Sequence, residues 1–257
     1  MLTCFYTNIL IKPEMSVTNA LKSKAQPKVA LIVGASGLVG QHLLSQLLAS
    51  KNYSQVIALV RKPLDVNHNK LIQKQVDFNN LAHNLTQLTK PNNGQEKLDL
   101  NEDYLPKIDH VFCTLGSTIK KAGSKSAFKQ VDYLYPLLIA KHFYQENASL
   151  FCVVTAMAAN ESSAIFYNQV KGQLESAICD IGYQHLGIFR PSMLSGQRNE
   201  YRLGEQFGTL VMNALAFMIP KKYRVIKANK VANAMLAYAE HPPLGITITQ
   251  SDQLQNH

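Results

Sequence analysis

The sequence predicts a doubly wound α/β fold built around a parallel sheet. Short, β-rich apolar runs alternate with longer segments of helical periodicity, which is the pattern of repeated βαβ units. The runs are apolar at nearly every position, so we expect helices to cover both faces of each strand. A chain of 257 residues, 46% of them hydrophobic, can fill one large core of this kind. The clearest strand candidates are residues 28–33, 55–60, 108–115, 150–155 and 185–190.

The segments between these strands complete the alternation. Leucines and valines at near-helical spacing follow the first strand and predict an amphipathic helix that Gly37 opens. A polar stretch at 89–103 predicts a surface loop. We also expect a weaker strand at 71–78, helices at 126–145 and 167–181, and a mostly helical region at 201–240.

The domain organisation predicted from these elements is simple. Residues 1–26 have no clear period, and we expect them to form a largely disordered leader. Residues 27–257 are expected to form a single domain, to which 191–245 contribute a small, mostly helical lobe on the substrate side.

Charge and cysteine content narrow the class of protein. A net charge of +9 permits nucleic-acid binding without indicating it, and we expect none. No apolar stretch approaches the roughly 20 residues that span a bilayer, and we read no secretion signal in residues 1–27. The four cysteines and eight histidines show no metal-binding spacing. We therefore expect a reduced, cytoplasmic protein without a membrane span or a metal.

A glycine-rich loop joins the first strand to the first helix. At such a place a dinucleotide pyrophosphate needs a tight turn, bare backbone and a helix N-terminus. A turn in which one glycine adopts a positive φ is the simpler alternative, but the flanking strand and helix favour nucleotide binding. The expected contacts are Gly34, Ser36, Gly37, Leu38, Val39 and Gly40.

The end of the second strand favours NADP(H) over NAD(H). In NAD-binding units an acidic residue about 20 residues beyond the glycine loop binds the ribose 2′-hydroxyl. Here Arg61 and Lys62 occupy that place, and no acid follows before Asp65. Cations can pair with the 2′-phosphate of NADP(H). The alternative, a solvated loop start, leaves the choice of cofactor open.

A tyrosine and a lysine four residues apart are the candidate catalytic pair. Tyr167 and Lys171 share one face of a predicted helix, where the ammonium favours the phenolate and so helps proton exchange with a carbonyl oxygen. Lys171 would also hold the nicotinamide ribose. A second pair, Tyr223 and Lys227, shows that this spacing also arises by chance. Tyr167 is preferred because it begins a helix, whereas Tyr223 lies in a basic loop.

Two runs of basic residues each allow two interpretations. The first follows the strand at 108–115, on the side where ligands enter such sheets, and either attracts an anionic substrate or is a solvated face. The second lies within 221–230 and permits a nucleic-acid or lipid surface, which we do not expect. The first run comprises Lys120, Lys121, Lys125 and Lys129.

Taken in order, these motifs resemble an atypical short-chain dehydrogenase/reductase. The ordered set is the glycine loop, Arg61, the strand end at 113–118, the Tyr167 and Lys171 pair, and residues 189–191. The sequence is most similar to the Tat-interacting oxidoreductase-like group, in which a Leu-Gly-Ser/Thr-Thr strand end precedes Lys-Ala-Gly, as at 121–123.

The resemblance implies a Rossmann fold with NADPH in the glycine loop and at Arg61. It also implies an adenine contact at Asp77 and Phe78, and nicotinamide-side backbone at Leu115 and Gly116. The implied catalytic group is a Ser/Thr with Tyr167 and Lys171.

One position departs from the family pattern. The family usually ends the strand before the catalytic helix in Ser-Ser, and this chain has Thr155 and Ala156 there. Thr155 either supplies the catalytic hydroxyl or points away, because side chains alternate faces along a strand. Ser162 and Ser163 are less favoured substitutes.

Two functions of different classes follow. The first is an NADPH-dependent oxidoreductase that moves a hydride to or from a carbonyl or hydroxyl group of a small molecule, with Tyr167 as proton donor or acceptor. The second is a non-catalytic NADP(H)-binding regulatory or assembly protein on the same fold. Tight NADPH binding without turnover would favour the second.

Overall fold

A computed structural model describes residues 26–89, 104–195 and 220–257 of the chain. Its strands are β1 (Lys28–Val33), β2 (Tyr53–Val60), β3 (Leu71–Gln75), β4 (His110–Cys113), β5 (Leu150–Val154), β6 (His185–Arg190), β7 (Leu194–Ser195), β8 (Ile226–Lys227) and β9 (Gly245–Gln250). The α-helices are α1 (Leu38–Ala49), α2 (Leu81–Thr89), α3 (Ile119–Ala122), α4 (Lys125–Lys129), α5 (Tyr135–Gln145), α6 (Phe166–Cys179), α7 (Ala228–Glu240) and α8 (Ser251–Leu254). A π-helical turn, Gln130–Leu134, joins α4 to α5.

The centre of the structure is a seven-stranded sheet in the order β3-β2-β1-β4-β5-β6-β9. All neighbouring strands in it are parallel, which confirms the doubly wound α/β fold predicted from the sequence. The strand order reverses between β1 and β4, and ligands of such sheets bind beyond the carboxyl ends of the strands at this switch point. β7 and β8 form a separate two-stranded sheet.

Apolar side chains cover both faces of the sheet, as the unbroken apolar runs predict. Neighbouring residues of β1 enter different clusters, since Leu31 packs on one face and Ile32 on the other. α1 and α7 cover the Ile32 face, and α2, α5 and α6 cover the Leu31 face. Each fully buried aliphatic side chain contributes about 2 kcal/mol through removal from water.

Several element boundaries differ from the predictions for local reasons. β3 ends at Gln75 rather than at 78, because the Asp77 carboxylate accepts a hydrogen bond from Asn79 N and starts a 3₁₀ turn. The helix predicted at 126–145 begins at Lys125, with the Ser124 hydroxyl as its N-cap, and contains the π turn. β9 was not predicted. It is a half-exposed edge strand and so lacks the continuous apolar run of the inner strands.

The C-terminal third contributes to the same helical layer as α1. Of the lobe expected at 191–245, residues 196–219 lie outside the described residues, as do residues 1–25 of the expected leader. α7 packs against α1, and Gln46 Nε2 donates to Asn233 Oδ1 at 2.7 Å between these helices. No helix in the described parts of the chain is long and apolar enough to cross a membrane.

Candidate nucleotide and catalytic site

The three glycines of the loop between β1 and α1 have different surroundings. Gly34 has a φ of +87°, and a Cβ there would lie 2.7 Å from the carbonyl carbon of Thr114. A Cβ on Gly40 would lie 2.1 Å from Gly34 O, so this glycine lets the helix pack on the loop. A Cβ on Gly37 would be 3.2 Å from the same oxygen. Gly34 and Gly40 are therefore needed by the fold itself, whereas Gly37 leaves bare backbone at the helix start.

The N-terminus of α1 is suited to an anion. Gly37 is its N-cap and provides no side-chain cap, and the first turn carries no acidic residue. The first N–H groups of a helix have no intrahelical acceptor, which leaves those of Leu38, Val39 and Gly40 available. With the positive end of the helix dipole, these groups can bind a pyrophosphate. Ser36, also predicted to contact the phosphates, is exposed beside them, and its carbonyl accepts from Gln41 Nε2 at 3.1 Å.

A pocket of about 420 Å³ lies beyond the carboxyl ends of β2 and β3. Arg61, Asp77 and Phe78, all predicted as cofactor contacts, line it. Lys62, predicted with them, is exposed and not among the lining residues. The Phe78 and Tyr135 rings meet edge to face, with centroids 5.4 Å apart. The pocket thus combines aromatic walls with one cation, Arg61, and one carboxylate, Asp77, and its apolar walls suit a flat ring such as an adenine.

The predicted nicotinamide side of the site contains a buried ion pair. Lys171 Nζ lies 2.8 Å from Asp132 Oδ1, and the side chains are 3% and 0% exposed. A Cβ on Gly116 would lie 3.7 Å from that carboxylate oxygen and 3.9 Å from the ammonium. The structure therefore brings Gly116 and Lys171 together, with Asp132 as a third member. Among the described residues, the Asp132 carboxylate has no further hydrogen-bond partner.

The position of Asp132 results from the π turn that joins α4 to α5. π turns are rare and are frequently found at functional sites. Burial is the largest single influence and would lower the pKa of the Lys171 ammonium, but Asp132, Tyr167 and Cys113 together outweigh it and raise that pKa above its ordinary value. Lys171 thus stays charged in a buried position. The sequence predicted that Lys171 acts on Tyr167 and on the nicotinamide ribose, and it gave no indication of Asp132 as the partner of the ammonium.

Tyr167 lies in the first turn of α6, one turn before Lys171, and packs against an aromatic residue of α4. Its ring centroid is 5.4 Å from that of Phe128, a fully buried residue. Lys125 Nζ lies 5.2 Å from the centroid of the neighbouring Phe166 ring, and Lys129 Nζ lies 5.5 Å from that of Tyr133. Two of the four lysines in the first basic run are therefore held over aromatic faces. Lys125 lies over the ring of Phe166, the residue immediately before Tyr167.

The Thr155 hydroxyl is engaged by a carboxylate. It donates to Glu175 Oε1 at 2.5 Å, and Arg190 binds both oxygens of the same carboxylate. This network ties the end of β5, helix α6 and the end of β6 together. The geometry gives Thr155 a structural role, and the catalytic role predicted for it requires its hydroxyl to leave Glu175.

The loop before α6 packs tightly on that helix. A Cβ on Gly172 would lie 2.1 Å from Glu161 N, so only glycine permits this approach. Ser163 Oγ accepts a hydrogen bond from Ile165 N at 3.1 Å, and Ser162 is exposed. Ser162 and Ser163 were the less favoured substitutes for Thr155. The Ser163 hydroxyl is thus engaged within its own loop, and Ser162 faces solvent.

The structure also places the second Tyr–Lys pair that the sequence contains. Tyr223 is 55% exposed in a 3₁₀ turn and Lys227 lies in β8, so this pair does not share a helix. Within the described residues, no group of three His, Cys, Asp or Glu side chains could hold a metal ion. The missed site residues are Asp132 and Tyr135, and the one available signal was an acid inside an otherwise apolar helical stretch.

The seven-stranded parallel sheet and the glycine loop at its switch point define a protein with a Rossmann fold. The structure superposes on WbmH of Bordetella bronchiseptica, solved in complex with NAD⁺, with a TM-score of 0.63, 15% identity and coverage of 88% of this chain and 76% of that one. It also matches an oxidoreductase of the short-chain dehydrogenase/reductase family from Burkholderia thailandensis, with a TM-score of 0.57, 16% identity and coverage of 89% and 93%.

Sequence comparison gives the family. The HIM1 family model matches residues 67–223. Protein HTATIP2 of Rattus norvegicus is 33% identical over 188 residues, which are 71% of this chain and 69% of that protein. Protein FMP52, mitochondrial, of Candida albicans is 31% identical over 71% of this chain and 74% of that protein. The chain belongs to the HIM1 family, and its resemblance to the Tat-interacting group is confirmed.

Proposed function

We propose that the protein is an NADP(H)-dependent oxidoreductase that transfers a hydride to or from a carbonyl or hydroxyl group of a small molecule. The observation that carries this proposal is the buried pair of Lys171 and Asp132 beside Gly116 at the switch point of the sheet. A charged lysine held at that place, one helical turn from a tyrosine, suits proton exchange at a reacting oxygen.

The residues of the site fit a nicotinamide dinucleotide. The uncapped start of α1 and the bare backbone at Gly37 suit a pyrophosphate, and the pocket of Phe78 and Tyr135 suits an adenine. Arg61 in that pocket supports NADP(H), because its guanidinium can bind a 2′-phosphate through two parallel hydrogen bonds. WbmH, which shares the fold, was solved with NAD⁺, and this supports the same class of cofactor here.

Each polar side chain has a defined task in this proposal. The bound cofactor supplies or accepts the hydride. Tyr167 holds the proton that moves to or from the substrate oxygen, and the Lys171 ammonium favours the phenolate and binds the ribose hydroxyls of the cofactor. Asp132 keeps Lys171 charged and in place. Lys125, held over the Phe166 ring beside Tyr167, supports an anionic substrate.

One observation favours the second candidate, a non-catalytic NADP(H)-binding regulatory or assembly protein. The Thr155 hydroxyl is bound to Glu175, and Ala156 has no hydroxyl, so the usual strand-end donor is missing unless Thr155 rearranges. Fold alone does not decide between these functions.

The deciding experiment measures cofactor affinity and turnover on the same full-length protein. We expect NADPH to bind more tightly than NADH by calorimetry, and NADPH oxidation with a panel of small carbonyl compounds, including carboxylated ones. Tyr167→Phe should lower turnover by about 10²- to 10⁴-fold with unchanged NADPH affinity, since only the proton donor is removed. Tyr223→Phe is the matched control and should change neither. NADPH binding without turnover on any compound would instead favour the non-catalytic NADP(H)-binding protein.

The cytoplasmic location is also part of this proposal. The three described cysteines are free thiols, which agrees with a reducing compartment. The Candida albicans relative is named as mitochondrial, so fractionation of cells against a mitochondrial marker is the direct test.

A further inference from the structure

A second pocket, of about 380 Å³, lies at the amino ends of the strands, at the opposite edge of the sheet from the candidate site. Its floor is formed by the first residues of β1, β2 and β4, which are Lys28, Tyr53 and His110. The ends of α1 and α7 border it, with Lys51 just after α1 and Glu240 as the last residue of α7. This volume is within the usual range of small-molecule sites.

Three side chains on the floor form a hydrogen-bonded chain. Lys28 Nζ lies 2.9 Å from His110 Nε2, and Tyr53 Oη lies 2.9 Å from His110 Nδ1. Tyr53 is 2% exposed and His110 is 1% exposed, so both rings are buried while the pocket opens above them. The chain therefore determines which polar hydrogens the pocket presents.

The protonation state of His110 follows from its partners. Burial and the nearby Lys28 ammonium lower the pKa of His110 to about 3, so the imidazole is neutral near pH 7. An ammonium has donors and no acceptor, which requires Nε2 to accept from Lys28. The proton of the neutral ring must then be on Nδ1, and it is donated to the Tyr53 oxygen.

This arrangement leaves an excess of donors. The Tyr53 oxygen accepts from His110, so its own O–H must donate elsewhere, and it has no acceptor among the described residues. Two of the three N–H groups of Lys28 likewise have no acceptor in the described parts of the chain. A buried donor is strongly favoured to find an acceptor. The pocket thus offers hydrogen-bond donors to a ligand oxygen.

The charges around the pocket indicate the kind of anion. Lys28 and Lys51 are positive, and Glu240, which accepts from Asn52 Nδ2 at 3.3 Å, is negative. The lysine and glutamate side chains of the lining therefore sum to one net positive charge, and two histidines, His110 and His241, line the pocket as well. A carboxylate carries one negative charge, whereas a phosphate monoester carries about 1.5 to 2 at pH 7.

We propose that this pocket binds a small carboxylate, whose oxygens accept hydrogen bonds from the Tyr53 hydroxyl and the Lys28 ammonium. The carboxylate completes the chain of donors that runs from Lys28 through His110 to Tyr53. This second site does not depend on the oxidoreductase function, because it lies at the other end of the strands and shares no residue with the nucleotide site.

The test is an NMR titration of the full-length protein, labelled with ¹⁵N at histidine, with sodium propionate as the probe. We expect the resonance of His110 Nδ1 to be that of the protonated nitrogen, and the ring shifts to change saturably with a midpoint in the low millimolar range. Sodium chloride at equal ionic strength should cause no saturable change. Inorganic phosphate should bind at least about fivefold more weakly than propionate.

Variants assign the binding to the named groups. Tyr53→Phe removes only the hydroxyl and should weaken propionate binding by about tenfold. Lys51→Gln, at an exposed position where folding is not at risk, should weaken it by about two- to fivefold. Lys141→Gln, an exposed lysine on α5, is the matched control and should change nothing. NADPH affinity should be the same in all three variants.

Several results would overturn the proposal. These are the absence of saturation at about 100 mM propionate, an unchanged midpoint in Lys51→Gln or in a folded Tyr53→Phe, and phosphate binding as tight as propionate. A protonated Nε2 on His110 would also overturn it, because the Tyr53 hydroxyl would then donate to the imidazole.

Discussion

Asp132 and Lys171 form an ion pair, 2.8 Å between carboxylate and ammonium, that is almost completely removed from solvent. The partners come from the π turn and from α6, so the pair joins the two helical segments that border the candidate site. Removing one partner of such a pair leaves an uncompensated buried charge, which costs more than the pair itself contributes.

Asp132→Ala should therefore lower the free energy of unfolding by about 3 kcal/mol, measured by urea denaturation. Asp132→Ala combined with Lys171→Met should be less destabilised than the sum of the single variants, since neither charge then remains. Glu146→Gln removes an exposed carboxylate and is the control, with an expected change below about 0.5 kcal/mol. Additive effects of the two single variants would contradict a direct interaction.

The two cations after β2 should contribute unequally to cofactor choice. Arg61 lines the pocket at the predicted adenine end and Lys62 does not. Arg61→Ala should reduce the preference for NADPH over NADH by about 10- to 100-fold, because a charge-assisted hydrogen bond to the 2′-phosphate is lost. Lys62→Ala should reduce it by less than about threefold. Calorimetric titration of both cofactors checks this, and equal effects would show that only net charge matters.

The glycines of the first loop should separate binding from folding. Gly37→Val should give a folded protein that no longer binds NADPH, since its Cβ would lie 3.2 Å from Gly34 O and 4.0 Å from Thr114 O, while the branched side chain covers the helix start. Gly40→Val should not fold, because its Cβ would come within 2.1 Å of Gly34 O. Circular dichroism and NADPH titration distinguish the two outcomes. Normal NADPH binding by Gly37→Val would remove the nucleotide assignment.

Thr155 offers a direct comparison of a structural with a catalytic role. Thr155→Val removes the donor to Glu175 and should lower the free energy of unfolding by about 2 kcal/mol, as expected for a buried hydrogen bond to a charged group. Turnover per folded molecule should fall by less than about threefold. Thr155→Ser should restore stability. A loss of turnover of about 100-fold or more in folded Thr155→Val would instead support the catalytic role predicted from the sequence.

His110 should make stability depend on pH. Its pKa is lowered to about 3 in the folded protein, so between that value and its unfolded value near 6.5 the unfolded state binds more protons. The free energy of unfolding should therefore fall as pH decreases through this window, by at most about 1.4 kcal/mol per pH unit from this residue. His110→Gln should show a shallower loss between pH 6.5 and 4 in urea denaturation. If the free energies of unfolding of the wild type and of His110→Gln fall in parallel with pH, groups other than His110 cause the pH dependence.

The sequence predicted the sheet well because its inner strands are buried on both faces and read as continuous apolar runs. β9 was missed although the alternation of Ile and Thr at 246–249 is typical of a strand. It is an edge strand with exposed Ile246 and Ile248, and it lacks the continuous apolar run by which the inner strands were recognised. The glycine loop could be predicted since steric demands restrict Gly34 and Gly40 to one residue type.

The candidate site was only partly predictable for a different reason. Tyr167 and Lys171 are four residues apart on one helix, so spacing alone predicted their relation. The partners Asp132 and Glu175 reach Lys171 and Thr155 through tertiary packing, across long stretches of chain, and no local pattern encodes such contacts. A π turn is also invisible to a search for the ordinary helical period.

The π turn fixes the rotational phase of the helix that follows it. It contains about one residue more per turn than an α-helix, and each residue of an α-helix advances the chain by about 100° around the axis. Without the additional residue, Tyr135 would rotate away from its pocket while Asp132 remained opposite Lys171. One irregular turn therefore determines the relative orientation of two side chains, since Asp132 faces Lys171 while Tyr135 lines the pocket beside Phe78.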